Sequence, residues 1–206
     1  MKTVEINNLN LDLHNGPIGV ACSGGADSSI LLYTLAKFID GPITVYTCSN
    51  KEKHYVNGKV ATDVIEKVKQ LTGRSDIKHK VFLTHKQTFQ TLFSPLSKFI
   101  VSDSLNMMYT AATSFPPDEE LQKFNSVTDL YEKRNPNVLR PLYNGKYYVP
   151  WFNQDKRFIA DVYKELNVLD ELFPITRSCE DMNLTEGHCG KCWWCEERMW
   201  AFGRLE

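Results

Sequence analysis

A short apolar run, Pro17-Ile18-Gly19-Val20-Ala21-Cys22, stops at Ser23-Gly24-Gly25 and gives way to a helical pattern from Asp27. A strand followed by a helix and then another strand has to return by a crossover, which constrains the topology more than any other feature of the chain. Ile30, Leu31, Leu35, Phe38 and Ile39 recur at helical spacing, and Gly41-Pro42 ends that run. Ile43-Thr44-Val45-Tyr46-Thr47-Cys48 is β-branched and aromatic and predicts the second strand. Val60, Ala61, Val64, Ile65, Val68 and Leu71 form the next helical face, closed by Gly73, ahead of a third strand at Lys80-Val81-Phe82-Leu83. Strand, helix, strand, helix, strand at these lengths implies right-handed crossovers and a parallel sheet.

Ser94-Pro95 reads as an N-cap with proline at the first helical position, starting a helix that runs to about Ser104. Asn106 to Thr113 is expected as the fourth strand, with a continued helix as the alternative, and Phe115-Pro116-Pro117-Asp118-Glu119-Glu120 as a loop. Val138-Leu139-Arg140-Pro141-Leu142 reads as the fifth strand, with Asn144-Gly145 turning into Lys146-Tyr147-Tyr148-Val149 as a hairpin. Asn153 or Asp155 can cap a helix carrying Phe158, Ile159, Val162, Tyr163 and Leu166. The expected fold is therefore α/β, a doubly wound, mainly parallel five-stranded sheet over residues 1–176. A small C-terminal module, residues 177–206, packs on the same domain.

The 206 residues are 42% hydrophobic and 24% charged, which excludes collagenous, disordered and coiled-coil classes. A formal net charge of −1 gives no global attraction to nucleic acid or to a membrane surface. No apolar run approaches the ~20 residues of a membrane span. The opening Met1-Lys2-Thr3-Val4-Glu5-Ile6-Asn7-Asn8 has no continuous apolar core of a secretory signal, so a cytoplasmic location is expected.

Ser23-Gly24-Gly25-Ala26-Asp27-Ser28-Ser29 sits between a strand and a helix start. Consecutive glycines allow positive φ and close approach of backbone N–H groups to an anion. The helix directs its unpaired amides and positive dipole end at the same point, and the Ser23, Ser28 and Ser29 hydroxyls add donors. The combination predicts a phosphate cradle. It is neither a Walker loop nor the dinucleotide Gly-x-Gly-x-x-Gly. The competing view is a plain Gly-Gly turn in which Asp27 only caps a helix.

Four of six cysteines gather near the end of the chain, at Cys179 and in Cys189-Gly190-Lys191-Cys192-Trp193-Trp194-Cys195. Such spacing lets thiolates converge on one tetrahedral ion and leaves no open position, so Zn²⁺ there would be structural. Lys191 and Arg198 would soften the charge of a tetrathiolate site. Redox-active thiols or an iron–sulfur cluster are the alternatives. His188 is adjacent and is read as an ordinary polar residue. Trp193, Trp194, Trp200 and Phe202 are read as packing around the knuckle, with base stacking as the alternative. Cys22 and Cys48 are read as small buried groups.

Ser23-Gly24-Gly25-Ala26-Asp27-Ser28 resembles the signature loop of the PP-loop (N-type) ATP pyrophosphatases. Together with Ser178-Cys179 and the Cys189-to-Arg198 run, it resembles one branch of that superfamily, the 7-cyano-7-deazaguanine synthases of queuosine biosynthesis. Pro141-Leu142, Lys156-Arg157-Phe158-Ile159 and Lys53-His54 also follow the family pattern, whereas Ser94-Pro95-Leu96-Ser97 stands where the family has a different segment, and Phe115-Pro116-Pro117-Asp118 only faintly echoes a family loop.

The resemblance implies ATP binding by Cys22, Ser23, Gly24, Gly25, Ala26, Asp27, Ser28 and Ser29, with Mg²⁺, and catalytic roles for Asp27 and Lys156. It implies a ligase that adenylates a deazapurine-like carboxylate and uses ammonia to form an amide or nitrile, releasing AMP and pyrophosphate. A homodimer is compatible with it, whereas the net charge argues against nucleic acid as a partner. Alternatives are a PP-loop enzyme modifying a tRNA base or a protein carboxylate, and a nucleotide-binding module without turnover.

Overall fold

The computed structural model describes residues 2–50, 55–84, 89–126, 145–179, 181, 184 and 186–206. Its centre is a five-stranded parallel sheet. The chain opens with β1 (Lys2–Ile6) and β2 (Leu9–Leu13), an antiparallel hairpin outside that sheet. Next come β3 (Ile18–Ala21), α1 (Ala26–Phe38), β4 (Ile43–Asn50), α2 (Tyr55–Thr72), β5 (Lys78–Thr84), α3 (Phe89–Ser102) and β6 (Met107–Tyr109). A single turn, α4 (Asp118–Leu121), precedes β7 (Tyr147–Tyr148) and α5 (Lys156–Glu165). α6 (Leu169–Leu172), a 3₁₀ turn (Phe173–Ile175) and α7 (Trp193–Phe202) complete the chain.

The order across the sheet is β5-β4-β3-β6-β7. Two crossovers run outward from β3, and the third returns past it to β6. With right-handed connections, that reversal moves α3 to the opposite face. Side-chain alternation shows the two layers directly. Ile18, Val20, Ile43, Val45, Met107 and Tyr109 pack in one core with α1, α2 and α5. Tyr46, Met108 and Tyr147 point the other way, into a smaller core with Leu96, Ile100 and Leu105. The fold is thus doubly wound, and its switch point lies between β3 and β6. Ligands of such sheets bind at that point, beyond the carboxyl ends of the strands.

Several local expectations change. Pro95 lies inside α3 instead of starting it. The burial of Leu96 and Ile100 holds the helix together although proline removes one of its hydrogen bonds. The fourth strand is confined to Met107–Tyr109. Part of the 115–120 loop is helical, because Asp118, Glu119 and Glu120 follow Pro117 and suit a helix N-terminus. The expected strand at 138–142 lies outside the described residues, as do Lys53-His54, His85 and Asn144. Tyr147–Tyr148, expected as a hairpin arm, is the fifth strand of the sheet and pairs in parallel with Met108–Tyr109.

The N-terminal hairpin turns at Asn7 and Asn8, which both take positive φ, 48° and 60°, as a two-residue turn of this kind requires. The Tyr109 hydroxyl fastens the hairpin, accepting from His14 N at 2.9 Å and donating to Asp12 O at 3.1 Å. Among the described residues no helix is long and apolar enough to cross a membrane.

Candidate functional site

β3 delivers Cys22 and Ser23 to the carboxyl edge of the sheet, where the chain turns into α1. Gly24 takes φ +83°, and a Cβ there would lie 2.6 Å from Val60 Cγ1 and 2.9 Å from the Ala61 backbone nitrogen. Only glycine meets both demands. Gly25 differs: its φ of −72° and ψ of 160° are ordinary extended backbone. A Cβ there would approach nothing closer than Ser23 Oγ at 3.4 Å. The expected positive φ therefore belongs to Gly24 alone.

Gly25 is the N-cap of α1, and no side chain caps the helix. Asp27 is therefore not a cap, and the first-turn amides remain available to an anion. The serines divide their work. Ser28 Oγ donates to Gly25 O at 3.2 Å and accepts from Ser23 N at 3.3 Å, while the buried Ser29 donates to Gly25 O at 2.8 Å. Both hydroxyls shape the loop from beneath. Ser23, on the exposed side, accepts from Gly25 N at 3.3 Å. Cys22 is buried, which pushes its thiol up, and its carbonyl accepts from Thr47 Oγ1 at 2.8 Å. Ala26 O accepts from the Tyr163 hydroxyl at 2.8 Å, tying the loop to α5.

Asp155 caps α5, accepting from Arg157 N at 2.8 Å and Phe158 N at 3.2 Å. Lys156 is thereby the first helical residue and is only 2% exposed. Its Nζ lies 2.7 Å from Glu197 Oε2 and 3.4 Å from Asp27 Oδ2. Burial alone would lower the Lys156 ammonium, but the two carboxylates outweigh it and hold it above its ordinary value. Burial pushes Glu197 up, against the pull of Lys156. Asp27 Oδ1 is shielded from solvent and has no hydrogen-bond partner. One cation and two carboxylates thus meet beside the loop. Asp27 and Lys156 were legible from sequence, whereas Glu197 was not: it reaches the cluster from α7, and no local pattern marks it.

The tail lies across the loop. Arg177 N donates to Gly24 O at 2.9 Å, and the Arg177 guanidinium donates to the carbonyls of Gly187, Asp181 and Leu184. Arg198, fully buried, donates to Phe173 O at 3.0 Å, Thr176 Oγ1 at 2.8 Å and Leu205 O at 2.7 Å. Its guanidinium stands 3.7 Å from the Phe173 ring centroid. Burial brings Arg198 down to about 10. Trp193 packs on Phe115 and Phe124, and Phe202 stacks on Phe173. Arg157 covers Trp200, and Trp194 remains 37% exposed.

The Sγ atoms of Cys179, Cys189, Cys192 and Cys195 all lie within 4.8 Å of one another. A tetrahedral ion with Zn–S of about 2.3 Å needs sulfurs about 3.8 Å apart, and Cys189 and Cys195 are 3.9 Å apart. Backbone amides point at the sulfurs, Asp181 N and Cys189 N at Cys179 and Cys192 N at Cys189. Burial would raise the Cys189 thiol, but the Lys191 and Cys192 amides outweigh it and bring it to about 7. This donor set fits one Zn²⁺; a multi-iron cluster would interpose metal and sulfide and spread the thiolates further. His188 has a buried side chain with neither ring nitrogen hydrogen-bonded, and Glu206 Oε1 lies 3.8 Å away. A cavity of about 450 Å³ lies between α2 and the tail, lined by Lys59, Asp63, Arg177 and His188 among others, and by no residue of the 23–29 loop.

Gly24→Ala is expected to lower unfolding free energy by more than about 2 kcal/mol, since strain and a backbone clash combine. Gly25→Ala is expected to stay within about 0.5 kcal/mol of wild type. Urea denaturation of both variants checks this; equal losses would refute the division of labour. For the knuckle, Cys192→Ser is expected to reduce zinc content and melting temperature together. Elemental analysis with calorimetry reads both, and a chelator-stripped protein of unchanged melting temperature would refute a structural ion.

No family model matches the chain, and no curated protein matches it. Among solved structures thirteen chains match. One is the NMN synthetase from Francisella tularensis, 12% identical with a TM-score of 0.49, the match covering 93% of this chain and 79% of that one.

Proposed function

We propose that the chain is an ATP-dependent carbon–nitrogen ligase of the PP-loop type, activating a carboxylate as its adenylate. One observation carries this. An uncapped helix N-terminus, reached through the Ser-Gly-Gly-x-Asp-Ser turn, stands at the sheet's switch point beside a buried lysine that contacts the Asp27 carboxylate. Backbone amides and a cation converging on one place suit an anion that gains charge as it leaves.

In this scheme the amides around Gly24 and Gly25 hold the β- and γ-phosphates. Lys156 neutralises charge at the α-phosphate as the carboxylate oxygen attacks phosphorus and the bond to pyrophosphate breaks. Asp27, whose Oδ1 has no hydrogen-bond partner, would hold the Mg²⁺ that accompanies ATP and offsets the charge of pyrophosphate. Ammonia then attacks the acyl carbon, the bond to AMP breaks, and loss of a proton leaves an amide. A second ATP can activate the amide oxygen, and loss of AMP and protons from nitrogen gives a nitrile. The resemblance of the two end motifs supports a 7-carboxy-7-deazaguanine-like acid as substrate. The cysteine knuckle, with Zn²⁺ bound, would secure the tail that overlies the loop; its four thiolates leave no position for substrate.

Incubation with Mg²⁺, ATP, ammonium and 7-carboxy-7-deazaguanine, followed by mass spectrometry, is expected to show amide or nitrile and equimolar AMP and pyrophosphate. Asp27→Asn is expected to cut pyrophosphate release at least about 100-fold in a protein that still folds, because Glu197 continues to pair with Lys156 at 2.7 Å. Full turnover by that variant would remove Asp27 from the chemistry. ATP binding without pyrophosphate release from any carboxylate would instead establish a non-catalytic nucleotide module.

A further inference from the structure

We propose that Glu197 is a positioning residue: it holds the Lys156 ammonium away from Asp27 and so keeps the Asp27 carboxylate open for the divalent cation that accompanies a nucleotide. This rests on the nucleotide site described under the proposed function and adds a third segment of the chain to it. Lys156 Nζ sits unequally between its two carboxylates, 2.7 Å from Glu197 and 3.4 Å from Asp27. The tighter contact is with α7, the looser one with the loop residue. Asp27 is left with a loose ion pair through Oδ2 and with Oδ1 unpartnered.

The Lys156 ammonium lies between two carboxylates in a site where Lys156 and Glu197 are 2% and 3% exposed, and the buried Arg198 guanidinium also acts on Asp27. What the cluster leaves unsatisfied is Asp27 Oδ1, a shielded carboxylate oxygen without a partner, and a cation that reaches it would satisfy it. Asp27 is the member that can receive it, because its side chain keeps 21% exposure whereas Glu197 is sealed in.

Glu197 is held firmly enough to set the lysine's place. It lies in α7, whose N-cap is Cys192 and whose first turn holds Cys195, so the knuckle fixes the start of the helix. Its neighbour Glu196 accepts from Asn125 N and Ser126 N, both at 2.9 Å, and Arg198 is locked to Phe173 and Thr176. Glu197 therefore anchors the lysine from a rigid element. Without its charge, Asp27 becomes the sole counter-ion of a buried ammonium, and a divalent cation must then displace that ammonium to reach the carboxylate.

The test is calorimetric titration of zinc-loaded protein with ATP, with and without Mg²⁺. Glu197→Gln keeps the size of the side chain and removes its charge. Its Mg·ATP affinity is expected to fall about 10- to 100-fold, the usual range when a residue supporting a metal ligand is lost. Metal-free ATP is expected to bind no more weakly than to wild type, because a negative charge has gone. The double variant Lys156→Met with Glu197→Met removes the competing ammonium and is expected to recover the Mg²⁺ dependence of binding. An apolar replacement of a buried ion pair is commonly tolerated by the fold, so this variant serves even where the single one folds poorly.

Equal Mg²⁺ dependence in wild type and Glu197→Gln overturns the positioning role while leaving the nucleotide site intact. The same holds for a double variant lacking Mg²⁺ dependence. A wild-type protein that binds no ATP under either condition overturns the nucleotide site and this role together.

Discussion

A charged lysine that is almost wholly buried has to be compensated on the spot, and the architecture around the loop follows from that constraint. Lys156 begins α5, Asp27 lies in the first turn of α1, and Glu197 belongs to α7. Desolvating these groups costs several kcal/mol per ion unless their pairing is nearly complete. The three helices must therefore meet in one register. The Tyr163 hydroxyl on Ala26 O reinforces that register from α5, and Arg198 does so from α7. The doubly wound sheet supplies the base, because its switch point places the end of β3 where helices from later in the chain can reach it.

Arg198 shows how the tail becomes part of the site. A buried guanidinium normally seeks a carboxylate, yet here its partners are neutral oxygens of Phe173, Thr176, Ser178 and Leu205 and the face of an aromatic ring. Such bonds run in fixed directions and join α7 to the segment lying over Gly24. Four convergent cysteines then bring Cys179, at the end of that segment, against the start of α7. Tail and loop are consequently one structural unit, although they come from opposite ends of the chain.

Sequence periodicity carried most of the framework because the relevant forces are local. β3, the loop and α1 follow from an apolar run, two glycines and a helical stripe, and Asp155 was readable as a cap. The misses have equally local causes. Pro95 looked like a helix start, but burial of Leu96 and Ile100 prevails over a lost hydrogen bond. β7 has two residues, too few to show a period, and belongs to the sheet only through its pairing with Met108 and Tyr109. Gly24 and Gly25 look equivalent in one dimension, yet the approach of Val60 and Ala61 separates them. Glu197 was invisible because its role depends on α5 and α7 packing together, whereas its own helix offers only cysteines and aromatics as context.

Under the proposed function, the 23–29 loop and Lys156 form a single nucleotide site. A crystal structure with Mg²⁺ and an ATP analogue carrying a methylene group between the α- and β-phosphorus tests it most directly. The terminal phosphates are expected on the amides around Gly24 and Gly25, with the α-phosphate at Lys156 and the cation at Asp27. A nucleotide seated instead in the cavity between α2 and the tail, among Lys59, Asp63 and His188, with the loop empty, would contradict it.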